Sequence, residues 1–88
     1  MTLSESQSRA LAAICADPLV LSSDWESAGH RRQLFFFTNA AREVRVRISD
    51  VVVLAAHGLA ELADDPKDPE ALWAHCTSRG AALMKQSA

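Results

Sequence analysis

The stretch His30-Arg31-Arg32-Gln33-Leu34-Phe35-Phe36-Phe37-Thr38-Asn39-Ala40-Ala41-Arg42-Glu43-Val44-Arg45-Val46-Arg47-Ile48-Ser49 decides the fold. An apolar run, Leu34 to Phe37, is followed by the turn-like Thr38-Asn39-Ala40-Ala41. Strict alternation comes next, with Val44, Val46 and Ile48 on one side and Glu43, Arg45 and Arg47 on the other. Successive residues of a strand point to opposite faces, so the pattern predicts a β-hairpin with three β-branched side chains in a core and Arg45 and Arg47 together in water. The three phenylalanines cannot share one strand face. Base stacking is therefore a weaker reading of them than a core role on a strand covered on both sides.

On the N-terminal side, residues 4–16 predict a helix. Ser4 and Gln7 have capping-box spacing, and Asp17-Pro18 ends the helix because the residue before proline is pushed out of the α region. Leu19-Val20-Leu21 reads as a strand or an extended lead-in. Trp25-Glu26-Ser27 could pair with residues 31–34 across Ala28-Gly29, where glycine permits a tight turn. The Leu34–Phe37 strand then lies in the middle of a meander, and the N-terminal helix or a partner covers its second face.

On the C-terminal side, Ser49-Asp50 suits a helix start, and Val51, Leu54, Leu59 and Leu62 recur at helical spacing. That predicts a helix over 50–63. Asp68-Pro69-Glu70 reads as a cap, a first-turn proline and an acid at the positive end of the dipole, predicting a helix over 69–84. Gly80 inside that helix suggests either close packing against the preceding one or an early fray of the helix end. The expected class is α+β, a small antiparallel sheet (a two- or three-stranded meander) packed against helices in the order α-β-β-β-α-α, as a single domain over 1–88.

Eighty-eight residues, 49% of them hydrophobic, support a thin core; a chain this short buries about 60–65% of its unfolded surface. The net charge of −2 hides segregation: residues 30–49 carry Arg31, Arg32, Arg42, Arg45 and Arg47 against Glu43, and both flanking segments are acidic. No apolar run approaches a membrane span, which needs about 20 residues. The N-terminal segment does not read as a signal peptide. One bridge between Cys15 and Cys76 is possible in principle, but the two read as buried free thiols in a reducing, cytoplasmic setting.

Nothing in the chain commits to a reaction. There is no Cys-x-x-Cys or His-x-x-x-His spacing, no EF-hand loop and no phosphate-cradling glycine loop, so no cofactor or metal is expected. Cys76 as nucleophile with His57 as base is the one enzymatic reading the residue types allow. His57 with Glu61, and His75 with Arg79, have the i,i+4 spacing of solvated helix pairs.

The region from Leu21 to Ala82 resembles the YrdB-like family of small proteobacterial proteins, a domain of unknown function. Trp25, the aromatic strand Leu34–Phe37, the pair Ile48-Ser49 opening a helix, and the acidic, proline-containing segment Asp64–Pro69 carry the resemblance. It implies a bacterial source and this order of elements, and no activity or functional residue. Residues 4–16 depart from the family pattern.

These features favour a non-enzymatic protein-interaction or regulatory module, with a protein partner, or a second copy in a homodimer, meeting the basic hairpin. The rival class is nucleic-acid binding, with Arg31, Arg32, Arg42, Arg45 and Arg47 as contacts. The acidic composition argues against it.

Overall fold

A computed structural model describes residues 2–26 and 32–87 of the chain. Among these residues the order of elements is α1 (Glu5–Ala16), β1 (Leu19–Glu26), β2 (Arg32–Thr38), β3 (Arg45–Val46), α2 (Ile48–Ala56), β4 (Ala60–Asp65), β5 (Asp68–Cys76) and α3 (Ser78–Ser87). The class is α+β. All strand pairs are antiparallel, and they form one five-stranded sheet in the order β3-β2-β1-β5-β4. The expected three-stranded meander is thus the β1-β2-β3 half of a larger sheet.

The N-terminal elements follow the sequence reading closely. Ser4 caps α1: its hydroxyl accepts the Gln7 N–H at 3.2 Å, and the Gln7 side chain accepts the Ser4 N–H at 3.0 Å. Ala10, Leu11 and Ile14 form the buried stripe of this helix. The β1–β2 register sets Leu21 opposite Phe37, and the pairing continues out to Trp25–Gln33 and Glu26–Arg32. The turn expected at Ala28-Gly29 lies outside the described residues.

Alternation along these strands builds the core. Leu19 pairs with Ala74 and Leu21 with Phe37, which pairs in turn with Val46, so these side chains share one face. They pack against Leu11 and Ile14 of α1 and Val51 and Leu54 of α2. All three helices lie on this face. α1 therefore does not cover the second face of β2, as the sequence had suggested, and no element among the described residues does. Phe37 is buried in the core, Phe36 points to the opposite face, and Phe35 is 55% exposed where the hairpin runs past the helices. Val46 is buried and Ile48 half-buried, whereas Val44 is exposed because the chain enters β3 only at Arg45.

The expected helix over 50–63 is corrected. It starts earlier, with Arg47 as N-cap, and stops at Ala56. Gly58 has φ +73°, the left-handed conformation that ends helices. The Gly58 N–H donates to the Ala55 carbonyl at 3.0 Å and the Leu59 N–H to the Leu54 carbonyl at 2.9 Å. Those two bonds are a Schellman closure, and they redirect Ala60 onward into a strand.

The expected helix over 69–84 is corrected as well. Asp65 pairs with Asp68 across Pro66-Lys67 to form a hairpin turn, and the Asp65 carboxylate accepts the Lys67 N–H at 2.9 Å. Proline at the second turn position, with aspartate before it, is turn chemistry. Helix resumes only after Thr77, whose hydroxyl accepts the Gly80 N–H at 3.0 Å. Gly80 does mark close packing, but against the chain beyond α2: a Cβ there would collide with the Leu59 carbonyl oxygen.

Candidate interaction surface

The strand register writes out the uncovered face row by row. One row runs across all five strands as Arg45, Thr38, Val20, Trp73 and Ala63. Phe36 and Ser22 are paired in the next row, and Glu61 and His75 in the row on the other side.

Its β2–β3 half carries guanidinium groups. Arg45 lies over the Phe36 ring, 4.4 Å from its centroid, and donates to the Asp24 carboxylate at 2.9 Å. This plating explains why Phe36 is only 7% exposed on a face without helices. Arg42 reaches the Ser22 hydroxyl at 3.2 Å from the loop that joins β2 to β3. Asn39 shapes that loop, its side-chain oxygen accepting the Glu43 N–H at 2.8 Å, and Arg42 itself has φ +57°. Thr38 closes it, its hydroxyl donating to the Val44 carbonyl at 2.6 Å.

The β5–β4 half is different in kind. Pro18, Asp64, Asp65, Pro66, Trp73 and His75 line a depression of about 320 Å³. The Trp73 indole N–H donates to Asp65 at 3.3 Å, which fixes the ring beside that carboxylate. An aromatic ring with a carboxylate suits a cation.

A second depression, about 370 Å³, lies between α1 and β3 and is lined by Ser6, Arg9, Arg47 and Asp50 among others. Arg47 donates to Ser6 at 3.1 Å and to Asp50 at 3.4 Å, and Ser6 also donates to Asp50 at 3.3 Å. Asp50 is 8% exposed, so this group is a strut joining α1 to α2.

The five arginines singled out in the sequence therefore do not form one ribbon. Arg45 faces the open side of the sheet and Arg47 the helix layer, because α2 begins right after β3. The expectation that they share a face is corrected. Arg42 joins Arg45 on the open face; Arg32 is placed only by its backbone in β2, and Arg31 lies outside the described residues. Arg9, Arg45 and Arg47 pair with Glu5 at 2.6 Å, Asp24 at 2.9 Å and Asp50 at 3.4 Å. Trp73, Asp65 and His75 are not legible as site residues, because the sequence predicts a helix and its lead-in there. The period-2 alternation of Leu72, Ala74 and Cys76 against Trp73 and His75 was the available signal.

The cysteines are corrected too. Cys15 and Cys76 are joined in a disulfide that ties the end of α1 to the end of β5, with their Cα atoms 5.0 Å apart. The Cys76 sulfur is thus not a free nucleophile, and His57 is the exposed C-cap of α2. Neither i,i+4 pair falls within a helix: Glu61 lies on β4 and His75 on β5. Among the described residues no group of three or more His, Cys, Asp or Glu side chains is placed to hold a metal ion, and no helix is long and apolar enough to cross a membrane.

The chain matches no protein-family model, no curated protein and no solved structure.

Proposed function

We propose that the protein is a small non-enzymatic interaction or regulatory module that binds a protein partner through the open face of its sheet. One observation carries this reading: a single face presents an arginine-plated aromatic half and a tryptophan-carboxylate half, and no described element covers it. Arginine and tryptophan are the side chains most enriched at the centres of protein interfaces. The likeness to the YrdB-like proteins, with the bacterial source it implies, remains a proposal and carries no activity to this chain.

The test is capture from the native cell, comparing wild type with the double variant Arg42→Ala, Arg45→Ala. A partner retained by the wild type and lost by a folded double variant supports the reading. Equal retention by both removes the open face from it.

The second reading is nucleic-acid binding through Arg31, Arg32, Arg42, Arg45 and Arg47, motivated by the net charge of +4 over residues 30–49. It requires phosphates to displace Asp24 from Arg45 and Asp50 from Arg47. A mobility shift at about 50 mM salt, weakening steeply as salt rises, supports it; no shift at that salt ends it.

The Cys15–Cys76 bond favours an oxidising compartment over the cytoplasmic setting read from the sequence. Thiol alkylation and mass measurement on protein taken from its native cell distinguish the two.

A further inference from the structure

We infer that the open sheet face is closed by a second copy of this chain, related by a two-fold axis parallel to β1. This rests on the proposed interaction role of that face and names its partner. Packing two such sheets face to face joins identical patches, so each patch must complement itself. β1 is the middle strand, with β2 and β3 on one side and β5 and β4 on the other. An axis parallel to the strands reverses strand order and keeps the position along each strand. It lays the β2–β3 half of one copy over the β5–β4 half of the other.

The row Arg45, Thr38, Val20, Trp73, Ala63 shows what then meets. Val20 sits near the axis. Arg45 of one copy approaches Ala63 and Trp73 of the other at the same level, with Asp65 and Glu61 within an arginine's reach. Arg42 lies over the same half. The chemistry repeats what this face already does within one chain, where Arg45 covers an aromatic ring and pairs with a carboxylate. The alternative axis, perpendicular to the strands, would set arginine over arginine and acid over acid, which repulsion disfavours. Aligned sheets cross at about −30°, a rotation that keeps these halves in contact.

The experiment is a charge exchange read by analytical ultracentrifugation. Arg42→Glu and Glu61→Arg each change one exposed side chain, and thermal melts check that both variants fold. Wild type is expected to dimerise at micromolar concentration. Each variant alone places like charges across the interface twice and should raise the dimer dissociation constant by at least about tenfold. An equimolar mixture should regain dimer, because in the mixed pair both contacts join opposite charges. Wild type that stays monomeric up to about 100 µM, or a mixture no better than either variant, overturns the inference. A monomer that still captures another protein, losing it on Arg42→Ala with Arg45→Ala, leaves the interaction role standing and removes only the second copy.

Discussion

The two hairpins make an instructive pair. β1–β2 was legible in the sequence and β4–β5 was read as parts of two helices, although both end as long antiparallel pairs in one sheet. The first is built from leucine, valine and phenylalanine, which suit a pleated half-buried surface. The second reads Ala-Glu-Leu-Ala-Asp-Asp and Asp-Pro-Glu-Ala-Leu-Trp-Ala-His-Cys, rich in alanine, glutamate and leucine, the strong helix formers. Its strand state comes from its surroundings: Ala60 and Ala74 are buried in the core, and Cys76 is bonded to α1. Local preference decided one hairpin, and tertiary contacts overrode it in the other.

If the second hairpin depends on being tied down, cutting the tie should separate the two. With the cysteines 61 positions apart in sequence, removing the bond by Cys15→Ala with Cys76→Ala should cost about 4 kcal/mol through the freedom regained by the unfolded chain. Denaturant unfolding measures that loss. Native-state hydrogen exchange should place the earliest opening in β4 and β5, with β1 and β2 opening later. Earlier opening of the first hairpin would reverse the comparison.

A smaller effect probes the seat of the second hairpin. Gly80→Ala in an exposed helix would add about 1 kcal/mol of stability. Here the new methyl meets the Leu59 carbonyl oxygen just before β4, with Leu11 also near. The expected result is a loss of about 2 kcal/mol, since overpacking at backbone cannot be relieved by a rotamer change. A higher melting temperature for this variant would show that α3 does not pin the start of β4.

The smallest effect belongs to the first hairpin. Phe35 stands in water beyond the helices, so Phe35→Ser should change stability by no more than about 0.5 kcal/mol and should improve solubility. A loss several times larger in the same unfolding experiment would mean that the hairpin tip is packed in solution.

What could be read in the sequence follows the same division. Ser4 and Gln7 announced α1 because a capping box is a local device, complete within four residues. Val51, Leu54 and Leu59, which recur at helical spacing, are buried in the core, and Leu72 packs half-buried against it from a strand. In the sequence Gly58 fits a small residue on a helix face, and only its positive φ reveals it as the stop. Asp65-Pro66-Lys67-Asp68 fits a helix lead-in and a hairpin turn equally well. The arginines were legible by number but not by direction: Arg45 and Arg47 part company because β3 lasts two residues. Trp73 is hidden as a surface residue because its segment predicts a helix.

The bond between Cys15 and Cys76 also makes the chain a covalent ring with two tails. Every strand lies on the ring, while nearly all of α1 and the whole of α3 hang from its two ends. A single cut in any peptide bond between residues 15 and 76 opens the ring without releasing a fragment. A protease that nicks there leaves one molecule of nearly unchanged mass, and two pieces separate only on reduction. Cleavage within a tail sheds a peptide at once, so the two sites of damage can be told apart by mass alone.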